Sequence, residues 1–176
     1  MEKNVIKIYT DGAAKGNPGN AGWGAVIVFP HNEKLKVKSE KLKVIEIGGR
    51  SDYSTNNQME LTAPIEALKY LKQKMSKTVF DIEVISDSKY VILGITEWIF
   101  NWQKNNWRNA AKKPVLNREL WEELYNLAED ITCPPKSKKL KWTYVKGHNG
   151  DKYNERADEI ATSFANGDPV ELKSEK

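Results

Sequence analysis

The chain has 176 residues, is 39% hydrophobic and 30% charged, and carries a net charge of +4. That length suits one domain with a buried core, and no apolar run approaches the ~20 residues of a membrane helix. Cys133 is the only cysteine, which excludes an internal disulfide and, with no signal-peptide pattern before the first strand, points to a cytoplasmic protein.

Val5, Ile6, Ile8 and Tyr9 form a β-rich run that ends at Asp11-Gly12, and Asn17-Pro18-Gly19 reads as a tight turn. An aspartate at the carboxyl end of a strand can present its carboxylate to a ligand; taken alone, Asp11-Gly12 reads as a hairpin corner. Gly22 to Phe29 is the second strand, His31 to Lys43 an extended, lysine-heavy hairpin tip, and Val44 to Ile47, stopped by Gly48-Gly49, the third strand. Three strands joined by turns predict an antiparallel meander.

The pattern then turns helical. Thr55-Asn56-Asn57-Gln58 matches a capping box, followed by an apolar stripe of Met59, Leu61, Ile65, Leu68 and Leu71. Glu60 is expected in the first turn, and Pro64 predicts a bend where Glu60 is displayed. Phe80 to Ser86 alternates apolar and polar before Asp87-Ser88. After a crossover helix this strand should run parallel to the first, bringing Asp87 close to Asp11.

A helix can follow from Ser88 to Thr96, then a polar, tryptophan-bearing stretch from Lys104 to Lys113, and an amphipathic helix from Arg118 to Asp130. Cys133-Pro134-Pro135 breaks the chain before a fifth strand, Leu140 to Val145. Lys146-Gly147-His148-Asn149-Gly150 is a glycine-flanked loop, and the last helix runs from Lys152 to Asn166 with Glu155 and Asp158 in it. Residues 1–167 then make one domain, and 168–176 a short polar tail. The order predicts an α/β fold with a five-stranded mixed sheet, three strands antiparallel and then two parallel, flanked by helices.

Charge is unevenly spread. Between Trp98 and Arg118, and again between Lys136 and Lys146, there are five basic residues and no acid. Such segments suit a polyanion such as nucleic acid, or equally a solvated lysine-rich face. Asp11, Glu60, Asp87 and Asp158 are the acids that the predicted elements could gather. Carboxylates converging on one crevice repel each other unless a cation neutralises them, and oxygen-only ligands suit magnesium or manganese. A carboxylate pocket beside basic surface is what metal-dependent phosphoryl transfer requires.

Five motifs occur in order: Tyr9-Thr10-Asp11-Gly12, Thr55-Asn56-Asn57-Gln58-Met59-Glu60-Leu61, Ser86-Asp87-Ser88-Lys89-Tyr90-Val91, Val145-Lys146-Gly147-His148 and Asn154-Glu155-Arg156-Ala157-Asp158. Together they closely resemble type 1 ribonuclease H of the bacterial kind, from about residue 4 to residue 166. The resemblance implies a ribonuclease H-like fold and a monomeric endonuclease, with no membrane partner, that hydrolyses the RNA strand of RNA–DNA hybrids to 5′-phosphate and 3′-hydroxyl ends. It implies that Asp11, Glu60, Asp87 and Asp158 hold two Mg2+ ions (Mn2+ as the alternative) flanking the scissile phosphate, with Asp11 between them. It assigns His148 to proton movement or product departure and Glu155 to the product side. It places Gly12, Asn17, Asn56 and Lys89 on the RNA side. Trp98 and the basic segment through Lys112 and Lys113 fall on the DNA strand, with Thr55 and Asn117 in a DNA phosphate pocket. Tyr53 stands where some members carry an arginine for that pocket. The intact acid set argues against a hybrid-binding module that no longer cuts; the basic protrusion and His148 loop argue against an integrase, and the lone chain against a polymerase appendage.

Overall fold

In a computed structural model, the described residues are 5–30, 43–74, 80–132, 140–148 and 150–173. The expected hairpin tip, the Cys133-Pro134-Pro135 break, part of the second basic segment and Asn149 lie wholly or mainly outside them.

Strands β1 (Val5–Gly16), β2 (Gly19–Val28), β3 (Val44–Ser54), β4 (Asp81–Ser86) and β5 (Leu140–Tyr144) form one sheet in the order β3-β2-β1-β4-β5. The β1–β2 and β2–β3 pairs are antiparallel, while β1–β4 and β4–β5 are parallel, as the sequence predicts. The helices are α1 (Asn56–Lys74), α2 (Lys89–Leu93), α3 (Ile99–Lys104), α4 (Arg118–Thr132) and α5 (Lys152–Asn166), with a π-helical turn at Gly94–Trp98 between α2 and α3.

Period-two alternation sorts the strand side chains onto two faces. Ile6, Ile8, Ala25, Ile27, Ile45 and Val84 pack with Leu61, Leu68, Trp121 and Leu124 of α1 and α4 in the larger core. Tyr9, Val26, Val28 and Ile85 meet Ala157 and Ile160 of α5 on the other face. The sheet is thereby clamped between two packed layers.

Three local expectations are corrected. β1 does not end at Asp11; it runs on to Gly16 in register with β2, and only its parallel pairing with β4 stops, at Thr10–Ser86. β3 passes through Gly48-Gly49, which stay paired with Gly24 and Trp23 of β2, so a sheet neighbour and not the local glycines sets its end. Glu60 lies at the start of the second turn of α1, whose first turn holds no acid. The helix continues through Pro64.

The carboxyl-terminal segment is docked. Glu46 N–H donates to the Lys173 carbonyl at 2.8 Å, and Lys173 N–H returns a bond to Glu46 Oε2 at 3.0 Å. Val170 and Leu172 pack against the core beneath α5. Arg156 of α5 grips the Glu46 carboxylate with two nitrogens, at 3.1 and 2.8 Å, and donates to the Glu171 carbonyl at 2.7 Å. Burial alone would raise the Glu46 carboxyl; the Arg156 bonds and the Lys173 amide outweigh it and hold it below the usual range.

Candidate active site

Asp11 and Asp87 are the residues that follow the last parallel pair, Thr10–Ser86, so they lie side by side where β1 and β4 part, Asp11 still paired with Gly24 of β2. Glu60 reaches them because α1 starts hard against β1. Thr55 Oγ1 accepts from Gln58 N–H at 3.2 Å and Gln58 Oε1 accepts from Thr55 N–H at 2.9 Å, which fixes the helix start as a closed capping box. A β-carbon at residue 12 would lie 2.3 Å from Glu60 N; glycine there is what lets the two backbones meet.

The outcome is three carboxylates, each offering one oxygen, all within 4.8 Å of one another. Asp11 is 7% and Glu60 8% exposed. Asp11 Oδ1 accepts from Gly12 N–H at 2.8 Å, and Glu60 Oε1 from Asn56 Nδ2 at 3.3 Å. Glu60 Oε2 is buried with no partner among the described residues. Burial, and then the Asp87 charge, push the Asp11 carboxyl up to about 8. Burial, and then Asp11 and Asp87, hold Glu60 well above the usual carboxylate range. A buried, under-satisfied oxygen cluster of this kind is consistent with a divalent metal, because a hard cation supplies the charge and the coordination that the protein leaves unmet.

The triad opens into a cavity of about 340 Å3 that Gly12, Asn56, His148, Glu155 and Asp158 also line. Asp158 sits in the second turn of α5; its Oδ1 accepts from Thr162 Oγ1 at 3.4 Å. The sequence grouped four acids; among the described residues three form the tight cluster and Asp158 stands on the wall of the same cavity. His148 is exposed, with φ +52°, beside Gly150 at φ +86°. Glu155 Oε1 accepts from Gly150 N–H at 3.1 Å, which ties the histidine loop to the first turn of α5.

The remaining expected contacts do not line this cavity. Asn17 Oδ1 accepts from Asn56 N–H at 3.2 Å, holding the β1–β2 turn to the start of α1. Lys89 is exposed at the start of α2, its ammonium 5.6 Å from the Tyr144 ring centre. Asn117 donates to Tyr90 Oη at 3.2 Å and lines a second cavity with Gln58 and Arg118. Trp98 is half-buried in an aromatic chain, 5.9 Å from Trp102 and 6.3 Å from Tyr90. Lys112 and Lys113 are exposed on a loop braced by Asn109 Oδ1, which accepts from Ala111 and Lys113 N–H, and anchored by buried Trp107. Tyr53 is 78% exposed.

Two contacts were not assigned from the sequence, although Asn154 and Arg156 both fall in the quoted motif Asn154-Glu155-Arg156-Ala157-Asp158. Asn154 is 2% exposed and donates through Nδ2 to Asp87 Oδ2 at 3.3 Å. The Glu46–Arg156 pair joins residues 110 apart in sequence. The motif marks these residues but not their partners, which lie 67 and 110 positions away in the chain.

The family model for RNase H matches residues 3–166. Ribonuclease H of Thermosynechococcus vestitus is 44% identical over 171 residues, covering 97% of this chain and 95% of the relative. Among solved structures, LC9-RNase H1, described as a type 1 RNase H with the type 2 active-site motif, superposes with a TM-score of 0.76 at 23% identity, over 99% of this chain and 79% of that one. LC11-RNase H1 in complex with RNA/DNA hybrid superposes with a TM-score of 0.62 at 27% identity, over 92% and 97% of the two chains. With near full-length coverage and the three clustered acids falling in the quoted motifs, the chain belongs to the ribonuclease H family.

Proposed function

We propose that the protein cleaves the RNA strand of RNA–DNA hybrids by magnesium-dependent phosphodiester hydrolysis, leaving 5′-phosphate and 3′-hydroxyl ends. The observation that carries this reading is the convergence of Asp11, Glu60 and Asp87 to within 4.8 Å. The similar LC11-RNase H1 has been solved with RNA/DNA hybrid bound, which supports the substrate class. No helix among the described residues is long and apolar enough to cross a membrane. The reading takes residues 1–167 as one catalytic domain, acting as a cytoplasmic monomer.

Asp11, Glu60, Asp87 and Asp158 would hold two Mg2+ ions, with Mn2+ able to replace them. When bound, such ions supply an activated water and neutralise charge that builds on the phosphate. The carboxylates must ionise to take up a cation, so binding would release protons from acids such as Asp11 and Glu60, whose carboxyls burial raises. His148, on an exposed loop at the cavity mouth, would carry a proton between the site and solvent. Gly12, Asn17, Asn56 and Lys89 would read the RNA strand through its 2′-hydroxyls. Trp98, Lys112 and Lys113, with Thr55 and Asn117, would hold the DNA strand by its backbone without reading bases.

The test is cleavage of labelled RNA–DNA hybrid, RNA duplex and DNA duplex, each with and without magnesium. Only the hybrid should be cut, only with the cation, and only in its RNA strand. Comparable cutting of the RNA duplex, or cutting that persists in excess chelator, would overturn the reading.

A further inference from the structure

We infer that Asn154 is a positioning residue that fixes the Asp87 carboxylate on the acid cluster, and that Gly147 leaves the room this placement needs. The inference rests on the reading of Asp87 as a cation-holding acid.

Three elements converge on one oxygen. Asp87 Oδ2, at the end of β4, accepts from Asn154 Nδ2 of α5 at 3.3 Å. A β-carbon added to Gly147, on the histidine loop, would lie 2.7 Å from that same Oδ2. Asn154 cannot drift, because the helix cap Asp151 accepts from the backbone N–H of both Tyr153 and Asn154, at 3.0 and 3.2 Å. Its amide orientation is also fixed by chemistry: turned over, the carbonyl would face a carboxylate that can only accept.

The side chain is otherwise a poor structural choice. Asn154 is 2% exposed, and its Oδ1 is buried with no partner among the described residues. A buried amide that leaves its acceptor unmet is disfavoured against an apolar residue of similar size. The donor toward Asp87 is the evident compensation. Asp11 and Glu60 each have a comparable bond, from Gly12 N–H and Asn56 Nδ2. Asn154 completes the pattern: each clustered acid is oriented by a donor on a neighbouring residue or element, which is how outer groups set the geometry of inner ligands.

The experiment titrates Mg2+ into the full chain without substrate, followed by NMR shifts, and sets the affinities beside hybrid binding in chelator and the kcat and KM of cleavage. Asn154→Ala should weaken Mg2+ binding by about 10–100-fold, lower kcat, and leave KM and chelator-state hybrid binding unchanged. Gly147→Ala presses a methyl on the same oxygen from a different element and should give the same signature. It therefore serves if Asn154→Ala does not fold. In an Asp87→Asn background, Asn154→Ala should cause no further loss of Mg2+ affinity; full additivity of the two losses overturns the proposal. So does wild-type Mg2+ affinity in either Asn154→Ala or Gly147→Ala while Asp87→Asn loses it. If Asp87→Asn itself keeps wild-type affinity, the cation-site reading fails and this inference with it.

Discussion

Replacing Asp11 by asparagine should stabilise the metal-free protein while destroying its activity. The Asp11 carboxyl is raised by burial and by Asp87 to about 8, against 3.8 for an unperturbed aspartate. A raised folded-state value means that the folded protein holds its proton while the unfolded chain ionises freely, so stability falls as pH rises between those values. At pH 7 that spans roughly three pH units, which at about 1.4 kcal/mol each amounts to about 4 kcal/mol. Burying an asparagine amide in the same space offsets part of this, leaving a gain of about 2–4 kcal/mol. For a chain of this size the melting temperature should rise by roughly 4–16 °C. The assay is thermal unfolding of wild type and Asp11→Asn in chelator from pH 4 to pH 8.5. The gap should be smallest at pH 4, just above the unfolded-chain value of 3.8, widen to about pH 8, and then level off. Saturating Mg2+ should raise the wild type more than the variant and close the gap. Equal melting temperatures at pH 7.5 in chelator, or a gap that does not shrink toward pH 4, would refute the electrostatic account of the site.

Asp87→Asn should leave less than a few per cent of hybrid cleavage while gel-shift binding in chelator survives, since shape is kept and one anionic ligand is lost. His148→Ala should slow turnover substantially without abolishing it, because a loop imidazole assists where the acids and their cations carry the main load; a loss as total as that of Asp87→Asn would count against this. Alanine at both Lys112 and Lys113 should weaken binding alike across hybrid sequences and flatten the log–log salt dependence by about 0.7–0.9 per lost phosphate contact; an unchanged slope would make that loop a solvated face. Arg156→Ala should cost about 3 kcal/mol at pH 7, because it removes the two-nitrogen grip on the buried Glu46 carboxylate and leaves it to Lys173. As Glu46 has a lowered folded-state value, that cost should be full above about pH 5 and shrink as acid protonates the carboxyl, which melts across pH would show.

Much of this protein is written locally in its sequence. Alternation between Phe80 and Ser86, the closed box of Thr55 and Gln58, and the spacing of Leu61, Ile65 and Leu68 each depend on neighbours a few residues away, and they fix the elements and their order. A crossover between β1 and β4 then forces parallel pairing, so Asp11 and Asp87 had to emerge together. Glu60 could be assigned to that site because its helix follows the third strand with a defined start. Strand ends were less legible, since β1 and β3 continue for as long as β2 offers hydrogen-bond partners. The contacts of the polar tail with Glu46, the grip of Arg156, the loop tie from Glu155 to Gly150 and the hold of Asn154 on Asp87 were decided by tertiary structure alone. The reason is physical: each joins groups whose burial and distance are set by packing α5 on the sheet, and a buried donor carries no mark in sequence until its acceptor is brought within 3.3 Å.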